Sequence, residues 1–233
     1  MDRIWLDVPF DEKDKAKAAG AKWDPAAKQW YAPQKGIRGL AVWKALPPLP
    51  EVLPGEDRTF GGKALFVDMV PQSCWFTNVR SCVEKRDWER IRRIAMSRAG
   101  NVCEICGTGT NAKNKIGMEV HERWDYVLDT RTQVLKRLIC LCTSCHEATH
   151  FGFAQIKGAE AEAITHLRQV NGWSEKMTQS HIADATQLWR YRSMATWNLD
   201  LSILTDAGVT LRKPPDAAVR RDVAKRKTWE VRY

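Results

Sequence analysis

Cys103-Glu-Ile-Cys106, His121-Glu122 and Cys142-Thr-Ser-Cys145-His146-Glu-Ala-Thr-His150 are the three pieces of sequence that decide the reading of this chain. Two C-x-x-C pairs enclose a His-Glu and run directly into an H-x-x-x-H. In a C-x-x-C the two sulfurs converge on one point, and Gly107 follows the first pair, where a tight turn wants a residue without a side chain. Four soft thiolates around a tetrahedral ion describe a closed, structural zinc site. The competing reading is two unrelated thiol pairs in a reduced core. Cys74, Cys82 and Cys140 lack a paired spacing and are read as buried packing.

Between the pairs, Met118 to Trp124 and Gln133 to Leu141 read as strands, with Asp129 to Thr132 as their turn, and a helix can start at Thr143. His146 and His150 are four apart and share one helix face. His121, on the first strand, can complete a three-sided site for a divalent ion. The bland alternative is that these histidines only pack, or that His146 replaces a cysteine on the zinc.

The composition sets the outer limits. The chain has 233 residues, 44% of them hydrophobic, and a formal net charge of +9. That balance favours a polyanionic partner, foremost double-stranded DNA, over a membrane, since no long apolar run stands out. The N-terminus carries acids where a secretory signal has a basic and then apolar segment, so a cytoplasmic location is expected. In that compartment seven cysteines point to metal ligands and core thiols rather than disulfides.

The expected fold class is α+β. Residues 1–43 form a small α+β accessory domain. Ile4, Leu6 and Val8 alternate as a strand, Asp11 caps a short helix stopped by Gly20, and Ala21 to Asp24 and Gln29 to Tyr31 form two further strands. Residues 44–60, with Pro47, Pro48, Pro50 and Pro54, form a semi-rigid linker. Residues 61–210 hold the zinc domain with flanking helices, and residues 211–233 form a basic tail. Phe66 to Val70 reads as a short strand. Asp87 caps a helix running to Ala99, whose arginines, Arg90 and Arg93 among them, are candidate phosphate contacts. Two further helices are marked by Ile164, Leu167 and Val170, and by Ile182, Leu188 and Trp189. Their His166 and His181 have no metal-ligand neighbour in sequence.

Two resemblances follow. Cys103-x-x-Cys106, Glu119-Val-His121-Glu122, Leu141-Cys142-x-x-Cys145-His146 and His150 resemble the HNH (ββα-metal) endonuclease family in its zinc-stapled form, over about Asn101 to Gly152. The resemblance implies metal-dependent hydrolysis of phosphodiester bonds in DNA, with Mg²⁺, Mn²⁺ or Ni²⁺ held by His121, His146 and His150. The family shows His-His or Asp-His where this chain has His121-Glu122. Taking His121 as ligand makes Glu122 the candidate base; taking His121 as base puts Val120, which cannot bind metal, at the ligand position. Arg137 stands where the family places its Asn, and becomes a further candidate phosphate contact. These departures keep a second reading open, a catalytically inactive zinc-stabilised nucleic-acid-binding protein. A third is a scaffold that binds another protein through its tryptophans.

The N-terminal stretch resembles a small domain of unknown function found with primases and other plasmid or phage DNA proteins. The matching residues are Leu6-Asp-Val-Pro9, Lys13, Lys17, Gly20-Ala-Lys-Trp23-Asp24 and Lys28-Gln-Trp30-Tyr31. It implies an accessory role, with a protein partner for this domain as one form of it.

Overall fold

The structure, a computed structural model, describes residues 3–75, 77–114, 116–212 and Asp222. The basic tail expected over 211–233 lies outside the described residues apart from Leu211, Arg212 and Asp222. The fold is α+β.

The N-terminal unit runs β1 (Ile4–Leu6), α1 (Lys13–Ala18), β2 (Lys22–Asp24) and β3 (Gln29–Ala32). The strands pair antiparallel in the order β1-β3-β2, with Leu6 and Trp23 both opposite Trp30. The β2–β3 turn is set by Asp24, whose Oδ1 accepts the amides of Ala26 and Ala27 at 2.8 and 2.9 Å, and by Lys28 at φ 49°. Leu6, Val8, Ala16, Ala21, Ala32, Leu40 and Trp43 close a core within this unit. Asp11 does not cap α1. Residues Phe10–Glu12 wind into a 3-10 turn after Pro9, and α1 starts only at Lys13 without a side-chain cap.

The proline-rich stretch, expected as a semi-rigid linker, forms no helix or strand and is packed down. Leu49 and Leu53 are buried in the main core, and the Pro47 carbonyl accepts from Arg90 Nη2. The Asp57 amide donates to the Lys136 carbonyl at 2.9 Å. Prolines stop this segment from forming regular structure, but they leave its leucines free to be buried.

The second unit contains α2 (Val79–Cys82), α3 (Lys85–Arg98), β4 (Met118–Val127), β5 (Thr132–Cys142), α4 (Thr143–Thr149), α5 (Phe151–Lys157), α6 (Glu160–Asn171), α7 (Glu175–Ser193), β6 (Asn198–Asp200) and α8 (Ser202–Thr205). Its sheet has the order β4-β5-β6, antiparallel then parallel. Strand alternation divides the side chains. Val120, Trp124, Tyr126, Leu135 and Leu138 join Ile91 and Ala95 of α3 in one core. Ile139 and Leu141 join Ala148, Phe151 and Leu167 in another. The sheet therefore lies between α3 on one side and α4 to α6 on the other.

Two local expectations fail. The segment around Phe66 to Val70 is irregular, because its polar groups are taken elsewhere. The Asp68 amide donates to the Thr149 carbonyl, the Val67 amide to His181 Nε2, and the Val70 carbonyl accepts from Trp75 and Trp189. Asp87 lies inside the first turn of α3 and pairs with Arg90 rather than capping the helix.

Glu56 pins the packed-down segment to the sheet. Its side chain is 0% exposed and bonds both terminal nitrogens of Arg98 at 2.7 and 2.8 Å and the Leu138 amide at 3.0 Å. Burial alone would raise its pKa, but Arg98 and the Leu138 amide outweigh that and hold it below the usual carboxylate range. The unfolded chain therefore binds the proton more readily. The stabilisation is whole above the unfolded pKa, roughly 4.3, and is lost as pH falls through the lower folded value. Glu56→Ala leaves the buried Arg98 (4% exposed) without its carboxylate and is expected to cost ~3 kcal/mol in urea unfolding at pH 7. That difference should shrink as the pH falls below about 4. A loss under about 0.5 kcal/mol, as at an ordinary surface position, would refute this role.

Candidate metal centres

Two groups of metal-ligating side chains meet at α4. The first is Cys103, Cys106, Cys142 and Cys145, whose sulfurs lie within 4.8 Å of one another. Cys103 and Cys106 sit in a turn after α3 that Gly107 closes at φ 73°, its amide donating to the Cys103 carbonyl at 2.9 Å. Cys142 ends β5 and caps α4, its sulfur accepting from the Cys145 amide at 3.5 Å. Cys106 Sγ and Cys142 Sγ are 3.6 Å apart. Tetrahedral thiolates at ~2.3 Å from an ion would be separated by roughly 3.8 Å, so the set fits.

The electrostatics point the same way. Hydrogen bonds from Cys142 and Cys145 hold the Cys103 thiol far below its usual pKa. The same sharing pushes Cys142 up to about 12 and raises Cys145. Thiols packed this closely interact strongly, and a cation among them would stabilise their deprotonated forms. These four cysteines could hold a metal such as zinc.

The second group is His121 on β4 with His146 and His150 on α4. Their ring centroids are 5.4 Å (His121–His146), 4.8 Å (His121–His150) and 4.6 Å (His146–His150) apart. Three imidazoles from strand and helix thus face one point, and their ligand nitrogens also lie within 4.8 Å of one another. His121 is 4% exposed, and neither of its buried ring nitrogens has a hydrogen-bond partner among the described residues. A buried imidazole with two orphaned nitrogens is costly unless something outside the polypeptide satisfies it. His146 Nδ1 lies 3.2 Å from Glu119 Oε2, leaving Nε2 free. A carboxylate behind an imidazole is the arrangement that orients metal-binding histidines. Burial lowers the pKa of His121, with His150 and His146 adding to it. Burial and then His146 push His150 down to about 4, and burial lowers His146 against the pull of Glu119. The rings are thus favoured in the neutral form that binds metal.

Several expected participants lie elsewhere. Glu122 follows His121 on an extended strand and so points to the opposite face of the sheet. There it accepts the Val79 amide at 2.9 Å, and burial pushes its pKa up to about 7. It is not a base at the histidine group. Arg90 is buried in an ion pair with Asp87, and Arg93 bonds Asp7 at 3.0 Å. Arg137 is buried against Glu104 at 2.9 Å and the carbonyls of Phe60 and Gly62. Arg90 and Arg137 are buried and engaged inside the protein, which removes them as phosphate contacts in this conformation, while Arg93, a third exposed, is tied to Asp7. His181 accepts the Val67 amide and packs at a tilt against Trp173, a packing role.

Sequence reasoning passed over two residues. Glu119 was legible, since a residue two before His121 on a strand shares its face. His166 was not. Its Nε2 lies 3.1 Å from Cys145 Sγ, a contact made only when α6 packs on α4.

Comparison with known proteins bears on the N-terminal unit. Residues 3–41 match the model of a family described as Domain of unknown function (DUF5710). A DNA primase TraC of Escherichia coli is 44% identical over 55 residues, which is 23% of this chain and 5% of that protein. A second DNA primase TraC of Escherichia coli is 49% identical over 43 residues, 18% of this chain and 3% of that protein. The chain thus spans a small fraction of these relatives. The matches agree with the resemblance of the N-terminal stretch to a domain found with primases. No solved structure matches the chain. Among the described residues, no helix is long and apolar enough to cross a membrane.

Two donor sets predict two ions. Elemental analysis of the full chain is expected to return two metal ions per molecule, and His150→Ala to return one. An unchanged metal content in His150→Ala would exclude the histidine group as a site.

Proposed function

We propose that the chain is a metal-dependent endonuclease of the HNH type, hydrolysing phosphodiester bonds in DNA at the histidine group while a zinc ion on the four cysteines holds that group together. The observation that carries the proposal is His121, buried on the strand with both ring nitrogens unpartnered and facing His146 and His150. A divalent ion, Mg²⁺, Mn²⁺ or Ni²⁺, bound to these three rings would supply Lewis acidity towards a phosphate oxygen and towards water.

The polypeptide does the positioning. Glu119 fixes the ring of His146, and its charge sets that ring's tautomer. Burial of His121 and partial burial of His150 favour their neutral forms. His146 and Glu119, 24% and 44% exposed at their side chains, mark the open edge by which a phosphodiester could approach. The net charge of +9 suits a polyanion. The N-terminal unit's similarity to part of a DNA primase is in keeping with a nucleic-acid substrate.

A second reading has its own support. Glu122 is turned away from the histidines, and Arg90, Arg93 and Arg137 are engaged internally. A zinc-stabilised nucleic-acid binder without catalysis would need no base at the histidines and could meet phosphates through basic residues other than these arginines.

Supercoiled plasmid with Mg²⁺, Mn²⁺ or Ni²⁺ separates the two. Nicking should fall at least about 100-fold in His146→Ala and His150→Ala, roughly 2.7 kcal/mol of transition-state stabilisation. Glu122→Gln, which can still accept the Val79 amide, should keep the rate within about threefold, under ~1 kcal/mol. Salt-dependent DNA binding with no nicking under any ion would select the binder.

A further inference from the structure

The four-cysteine site carries a side chain that its spacing does not announce. His166 projects from α6, and its Nε2 reaches 3.1 Å from Sγ of Cys145, a cysteine that is itself 0% exposed. The same ring lines an open cleft of about 430 Å³, together with Ser144, Glu147, Glu162, Thr165 and Gln169. One imidazole therefore touches both a buried sulfur and a solvent-lined surface.

We propose that His166 is a positioning residue for the metal on the cysteines, donating its Nε2–H to the Cys145 thiolate and slowing loss of the ion through the cleft. The inference rests on the reading of the four cysteines as a zinc site. Four thiolates around a dication leave a net charge of −2 in a buried place, which needs donors around it. A metal-bound thiolate has no proton and can only accept, so the hydrogen in this contact belongs to His166.

Two of the other sulfurs draw on their own knuckles. Cys106 Sγ lies 3.3 Å from the Thr108 hydroxyl, and Cys142 Sγ accepts the Cys145 amide. His166 differs in coming from a separate helix. It ties α6 to the cysteine site and stands between Cys145 and the cleft, the side from which a chelator or an electrophile would arrive. A sulfur relieved of charge in this way is a poorer nucleophile and a less easily displaced ligand.

Zinc release to an excess of a chromophoric chelator tests this, in the full chain carrying His150→Ala so that only the cysteine-bound ion is followed. His166→Phe keeps a ring of similar bulk but removes the donor, and His166→Gln keeps an N–H donor. Release should accelerate roughly tenfold or more in His166→Phe and stay near the parent rate in His166→Gln. With Co²⁺ in place of zinc, the thiolate-to-cobalt charge-transfer band should shift in His166→Phe at unchanged stoichiometry. If His166→Phe releases zinc at the parent rate, or His166→Gln is as fast as His166→Phe, the hydrogen-bonding role is overturned. A parent chain without thiolate charge-transfer bands would instead overturn the cysteine site itself, and the role with it.

Discussion

Cys142 holds three pieces of this molecule at one point. It ends β5, it caps α4 with its sulfur, and that sulfur lies 3.6 Å from Cys106 in the turn after α3. The direction in which α4 leaves the sheet is therefore tied to the knuckle that precedes the hairpin. Once that direction is set, helical periodicity does the rest. Cys145 returns to the cysteine group, while His146 and His150 face His121 on β4. Loss of the cysteine-bound ion would free the first turn of a helix only seven residues long, too short to persist without tertiary support. The histidine group would then lose two of its three rings together.

Just before Cys142, the same strand is held by charge. Glu56 binds Arg98 and the Leu138 amide, and Glu104 binds Arg137, Arg58 and the Cys140 amide. Leu138 and Cys140 flank Ile139, which pairs with His121 across the strands. The acids that fix β5 thus fix the register of β4, and with it the depth of His121. Buried ion pairs of this kind contribute little net stability compared with apolar packing, but breaking one is expensive, so they favour one register over its neighbours. Here a one-residue slip would exchange His121 for Glu122 at the metal face.

That division of faces explains what could be read in advance. The C-x-x-C pairs and the i, i+4 histidines are local patterns whose geometry follows from the turn and the helix, so the sequence sufficed to bring them together. The strand, strand, helix order was legible for the same reason. Glu122 was misread because a motif placed it by adjacency, whereas an extended strand sends adjacent residues to opposite sides. The arginines' partners were not legible because neither charge on a helix, for Arg90 and Arg93, nor a motif position on a strand, for Arg137, reveals what packs over a side chain. Asp7 from the N-terminal unit, Pro47 from the proline-rich stretch and Glu104 from the knuckle reach them only in the folded chain. The packing of the proline-rich stretch was not foreseen because its composition was weighed and its leucines were not.

The two metal groups ask for different things from their surroundings. A closed set of four sulfurs needs its charge balanced and its entry path blocked, and the knuckle amides, Thr108 and His166 are placed for that. A set of three imidazoles needs rings held neutral, oriented and reachable from one side. Burial of His121 and His150 meets the first requirement, Glu119 behind His146 meets the second, and the partial exposure of that pair meets the third. Four thiolates surrounding an ion leave no coordination position for a substrate, whereas three imidazoles leave one or more. A substrate could therefore reach an ion on the histidines but not one on the cysteines. Cys145 and His146 direct the two groups from adjacent positions of the same short helix.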